Sequence, residues 1–191
     1  MYQNLFAIPI YYDLGVKNFK NIQKEIKGVV SKETFDLKQN THYLSDFTKN
    51  IVEELPLFKE ELDRHVKEYC KGMGLIPKYE ITTSWFSKFE KGNYAHVHNH
   101  GSADISGIYY YKAYVGDGDL FFEHPIIATS NDLLFRNQPQ WWTHEPTVGK
   151  IMLFPSWLRH GVQTNTSGNT RISLSFNINF TDVKPVDNRP I

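Results

Sequence analysis

Three histidines and an arginine carry the chemistry this chain could do: His96, His98, His160 and Arg171. Only Val97 separates His96 from His98. Side chains alternate along an extended segment, so both imidazoles are expected on one side. His160 comes much later, after Pro155-Ser156-Trp157-Leu158-Arg159. Neutral imidazole is the commonest protein ligand for transition metals, and three ligands on one face leave the other positions of an Fe(II) ion open. Arg171 follows, with Ser173 on the same side of its strand. A guanidinium can grip a carboxylate by a planar two-pronged contact. Taken alone, His-x-His is usually just two residues on the polar face of a strand. The distant histidine and the arginine after it point to a metal.

The other histidines have plainer readings. His100, in the loop after the His-x-His segment, could support the ligands from behind or be a solvated side chain, the second being the plainer reading, and His144 is less constrained. His42 and His124 read as structural or surface residues, and so does His65, beside an apolar helical stripe. Asp104, six residues after His98, could serve the metal only if its loop folded back.

Something must position these residues, and the chain changes texture midway. Residues 1–76 read as an opening strand plus helical support. Phe19, Ile22, Ile26, Val29 and Val30 recur at helical spacing, and so do Leu57, Phe58, Leu62, Val66, Tyr69, Cys70 and Met73. Pro56 suits the first turn of the second helix, and Gly72 and Gly74 its stop. From residue 77 to 180, short aromatic and β-branched segments alternate with turn signals. Strands are expected near 79–90, 94–98, 104–114, 119–123, 140–144, 150–154, 159–164 and 170–180. Eight such strands imply a mainly β jelly roll with N-terminal helices. In the last strand Arg171, Ser173, Ser175, Asn177 and Asn179 alternate with Ile172, Leu174, Phe176, Ile178 and Phe180. The polar face suits a pocket wall, and the apolar face suits burial under the helices. Ser106, Ile108 and Tyr110 share one face of an earlier strand. Residues 181–191, with two prolines, read as an extended tail, and residues 125–145 as a segment that could cover the pocket mouth.

Composition narrows the class. The 191 residues fit one domain, and 40% hydrophobic content is enough to build a core. Basic and acidic residues balance at 21 each, so the footprint of a general nucleic-acid binder is missing. Cys70 is the only cysteine, which rules out a disulfide scaffold within one chain. No apolar run approaches the roughly 20 residues of a membrane helix, and the N-terminus lacks the basic start of a signal peptide. A cytoplasmic protein is the expectation. Trp141-Trp142 could contact substrate, pack a loop or join two copies, which leaves a homodimer open.

At this point the chain resembles a known family. Trp85-Phe86, His96-Val97-His98, Ser106-Gly107-Ile108-Tyr109-Tyr110, Gly118-Asp119-Leu120-Phe121-Phe122, Phe154 to His160 and Arg171 to Asn177 are similar to 2-oxoglutarate/Fe(II) oxygenases of bacteria and of marine and T4-like phages. The opening Leu5-Phe6-Ala7-Ile8-Pro9-Ile10 also fits. The resemblance implies a double-stranded β-helix, Fe(II) as cofactor and 2-oxoglutarate as co-substrate. It gives His96 and His160 the two histidine roles. Arg171 takes the co-substrate role, with Ser173 and Tyr110 beside it. The wider superfamily has a carboxylate where this chain has His98. Either His98 completes a three-histidine site, or the metal keeps an open position.

Three functions compete. An oxygenase would convert 2-oxoglutarate to succinate and CO₂ and hydroxylate a C–H bond of a small molecule or protein. A cupin-type metal enzyme would need a glutamate soon after His98 and a Pro-x-Gly close before His160, and neither is present. A non-catalytic jelly-roll module would need no metal.

Overall fold

The computed structural model describes residues 7–126 and 139–186. Two helices form where the apolar spacing predicts them: α1 (Phe19–Val30) and α2 (Pro56–Gly72). Pro56 sits in the first turn of α2, where its missing N–H costs nothing. Past its end, Gly74 takes a φ of 75°, a left-handed conformation that residues with a Cβ adopt at a cost.

Eleven antiparallel strands make two sheets among the described residues. They are β1 (Tyr11–Asp13), β2 (Asp36–Lys38), β3 (His42–Leu44), β4 (Leu75–Phe89), β5 (Ala95–His98), β6 (Ile105–Lys112), β7 (Leu120–Glu123), β8 (Trp141–His144), β9 (Ile151–Pro155), β10 (His160–Val162) and β11 (Arg171–Pro185). The larger sheet runs β1-β9-β6-β11-β4-β3-β2, and the smaller β5-β10-β7-β8. This is a jelly roll with helices on the outer face of the larger sheet. All eight strands expected after residue 77 are present. Two features differ from the sequence reading. Residues 36–44 form a hairpin rather than helical support, its turn made by Gln39 and Asn40 at positive φ. The start of the expected tail, Thr181 to Pro185, continues β11 along β4. Trp141 and Trp142 lie on β8, while the centre of the expected covering segment and residues 187–191 lie outside the described residues.

Two cores follow from strand alternation. On the outer face Leu174, Phe176 and Ile178 of β11 and Tyr109 of β6 pack against Ile22, Ile26, Phe58 and Leu62 of the helices. Between the sheets lie Ile108, Leu120, Phe122, Met152, Phe154 and Leu158. Gly107 makes the first core possible: a Cβ there would stand 2.1 Å from the Phe176 ring. The inner face of β11 is left for a cavity.

Candidate active site

A cavity of about 490 Å³ opens between the sheets, within the size range of small-molecule sites. Arg171, Ser173, Ser175 and Asn177 form one wall, as the alternation of β11 requires. His98, His100 and His160 meet inside it, their ligating nitrogens all within 4.8 Å of one another. His98 and His160 are cross-strand partners between β5 and β10, with ring centroids 4.4 Å apart. His100 stacks on His160 at 5.2 Å and on Trp85 at 5.8 Å, both nearly parallel.

The sequence expectation differs here by one residue. His98 and His160 come together as expected. His96 does not join them: it lines the same cavity but turns its ring edge-on to Tyr94 at 5.0 Å. His100, read from sequence as a solvated side chain, stands in the cluster instead. The cause is a bulge. Val162 pairs with Ala95 and His160 with His98, so two steps along β10 match three along β5. The extra residue breaks the alternation that would hold His96 and His98 on one face. The loop after β5 then folds inward. The His100 N–H donates to the Ser156 carbonyl at 2.9 Å, and Ser156 N–H donates to the Asp104 carbonyl at 3.0 Å. The only sequence signal for His100 was its repeat of the two-residue spacing. Asp104 serves elsewhere, accepting the Phe180 N–H on its carboxylate at 2.7 Å.

Hydrogen bonds fix how two of these rings present themselves. The His98 Nδ1 lies 2.8 Å from the His96 carbonyl, and the His160 Nδ1 lies 2.9 Å from the Leu158 carbonyl. A carbonyl can only accept, so each Nδ1 carries a proton and each Nε2 is the atom left to face a metal. Outer partners of this kind orient metal-ligating histidines. Burial pushes His160 down to about 3 and His100 down to about 4, with the neighbouring imidazoles adding to both shifts. These two rings are neutral at physiological pH, as ligation requires. Behind His100, Ser106 donates to the Asn177 side chain at 2.9 Å and Asn177 donates to Thr83 at 3.1 Å, a polar brace under the loop.

At the other end Arg171 is fully buried. Its guanidinium lies between the Phe89 and Tyr110 rings, 4.9 Å from each centroid. His42 stacks on the far side of Phe89 at 4.8 Å, so this histidine, read as structural or surface, joins the cavity wall. One Arg171 nitrogen, Nη1, donates to the Gly118 carbonyl at 2.8 Å. Arg171 Nε and Nη2, Ser173 Oγ and Tyr110 OH are all buried without a protein partner. Ser173 pairs directly with Tyr110 across the strands, so the four atoms belong to one corner. Leaving a buried polar group unpaired costs about 1–3 kcal/mol, more for a charged one. Four donor atoms on three side chains, turned to one corner, are what a carboxylate would satisfy. The corner therefore fits the far carboxylate of a 2-oxo diacid, and the three imidazoles fit a transition metal.

The remaining histidines stay out of this site. His144 contacts Tyr12 and Phe122, and His65 is buried against Tyr11 and Glu61. Trp141 packs edge-on against Phe121 and Trp142 is exposed.

Comparison with known proteins points to one family and one fold. Residues 83–177 match a family described as "Putative 2OG-Fe(II) oxygenase". Among solved structures, HygX from Streptomyces hygroscopicus with nickel and 2-oxoglutarate bound is 10% identical, with a TM-score of 0.65 over 91% of this chain and 84% of that one. A 2OG-Fe(II) oxygenase family oxidoreductase from Burkholderia pseudomallei is 13% identical, with a TM-score of 0.61 over 82% and 77%. The viral collagen prolyl hydroxylase of Paramecium Bursaria Chlorella virus-1, in complex with 2OG, is 14% identical, with a TM-score of 0.57 over 88% and 94%. No curated protein matches.

Proposed function

Because the chain belongs to the 2-oxoglutarate- and Fe(II)-dependent oxygenases, we propose that it hydroxylates a C–H bond of a small molecule or protein side chain, releasing succinate and CO₂. The observation that carries this reading is the pairing, in one cavity, of a three-histidine cluster with a buried arginine corner left open to a carboxylate.

In this reading His98, His100 and His160 hold the iron, with His100 taking the position expected of His96. Bound iron with 2-oxoglutarate supplies the O₂ activation. The side chains do the rest. The backbone bonds at Nδ1 of His98 and His160 aim their Nε2 atoms inward before metal arrives, so little ordering remains to be done on binding. Arg171, Ser173 and Tyr110 receive the far carboxylate of 2-oxoglutarate. The Phe89 and Tyr110 rings keep the guanidinium flat and exclude water from it. The acceptor would then lie toward Trp85 and the β2–β3 hairpin, at the open side of the cavity. HygX has been solved with hygromycin B bound, and the viral neighbour is a collagen prolyl hydroxylase. Both a small molecule and a protein are therefore reasonable acceptor classes. The balanced overall charge speaks against general nucleic-acid binding.

The test is release of labelled CO₂ from 2-oxoglutarate with Fe(II), O₂ and a reductant, using His160→Ala as control. Wild type should release CO₂ slowly alone and faster when the acceptor is supplied. If wild type binds no 2-oxoglutarate and matches the control even with cell extract present, the protein is a binding module instead.

A further inference from the structure

The cavity carries charge of one sign only. Of the 191 residues 21 are acidic, yet among the described residues no Asp or Glu lines it. Five histidines, Arg171 and Lys38 do. Lys38 ends β2, opposite His42, at the tip of the hairpin that borders the mouth. Its ammonium rests over the Phe47 ring at 4.5 Å and, among the described residues, has no carboxylate partner. Asp117 and Asp119 reach Arg171 only through their field. Asp117 is spent on the Tyr114 N–H and the Ser167 hydroxyl.

The co-substrate alone does not balance this charge. A divalent ion on three neutral imidazoles brings two positive charges and Arg171 a third, whereas 2-oxoglutarate brings two negative ones. Among the groups that line the cavity one positive charge then remains, with Lys38 beyond it; Asp117 and Asp119 temper it only through their field on Arg171. An uncompensated buried charge is costly, and a cleft of one sign focuses its field on ions of the other sign. We infer that the acceptor is itself an anion, carrying a carboxylate or phosphate that supplies the missing negative charge, and that Lys38 meets this group at the mouth. The inference rests on the oxygenase reading and narrows its substrate class.

The test is calorimetric titration of the full chain loaded with Mn(II) and saturating 2-oxoglutarate, without turnover. Benzoate and phenyl phosphate are compared with benzyl alcohol and benzylamine. The anions should bind at least tenfold tighter than the alcohol, the amine should not bind, and added salt should weaken the anions alone. Benzoate without phenyl phosphate would mark a carboxylate acceptor, and the reverse a phosphate. In Lys38→Glu the anion preference should fall at least fivefold while 2-oxoglutarate affinity stays within twofold; an unchanged preference would overturn the role given to Lys38. Equal affinity for benzoate and benzyl alcohol, or anions that only displace 2-oxoglutarate, would overturn the inference and leave the oxygenase reading intact. A loaded protein that binds no 2-oxoglutarate at all would overturn both.

Discussion

His98 and His160 are direct partners across the β5–β10 pair, with ring centroids 4.4 Å apart. Their backbone spacing is set by the sheet rather than by loops, and each ring is turned by a carbonyl of its own strand or the turn before it. Two candidate ligands on rigid elements and a third on a loop tied to Ser156 would need little rearrangement to close on an ion.

Arg171→Lys should weaken 2-oxoglutarate binding at least tenfold and leave Fe(II) affinity within about twofold. Lysine keeps the charge but offers no planar fork to lie between Phe89 and Tyr110. Anaerobic titration of each ligand separately is the check, and unchanged co-substrate affinity would remove Arg171 from the site.

Arg171→Met should leave the metal-free protein as stable as wild type or more so. It removes a buried charge whose Nε and Nη2 have no protein partner, at the loss of one bond to the Gly118 carbonyl. Breaking a satisfied buried ion pair would instead cost about 3–5 kcal/mol. Thermal scans with and without Mn(II) and 2-oxoglutarate test this. Wild type should gain several degrees from 2-oxoglutarate and the variant none. A drop of more than about 5 °C in the metal-free variant would mean that Arg171 is structurally paired.

Acid should destabilise the metal-free protein well above the usual carboxylate range. Burial lowers His42 and His100 to about 4 and His160 to about 3, and it also lowers His65 and His144. Below pH 6.5 the unfolded chain takes up protons that these folded histidines refuse, so stability rises with pH there. It should be complete above about pH 6.5 and fall progressively toward pH 4. Denaturation midpoints at pH 7, 6 and 5 should decrease in that order, and a flat series would contradict the burial of these rings.

Gly107→Ala should cost about 1–3 kcal/mol, the usual cost of overpacking a tight core. The new methyl would meet the Phe176 ring at 2.1 Å and the Leu153 side chain at 2.8 Å. Chemical denaturation reads this directly. An unchanged midpoint would show that Phe176 moves freely.

The strands after residue 77 were legible because turn residues bracket them and β11 alternates cleanly over ten residues. The same alternation gave Arg171, Ser173 and their face. It misled at β5, where a single inserted residue rotates His96 out of the cluster. A bulge in a four-residue strand leaves no mark on residue type, and what draws His100 inward is a backbone bond to Ser156, 56 positions away. The β2–β3 hairpin was missed for a related reason: three-residue strands are too short to display a period of two.

Anaerobic addition of Fe(II) and then 2-oxoglutarate, followed by the visible absorption that a 2-oxo acid gives when chelated to iron, tests the site most directly. Wild type and His96→Ala should develop the band with similar iron affinity. His98→Ala, His100→Ala and His160→Ala should lose it or need at least tenfold more iron. A band that survives His100→Ala and vanishes in His96→Ala would contradict the account.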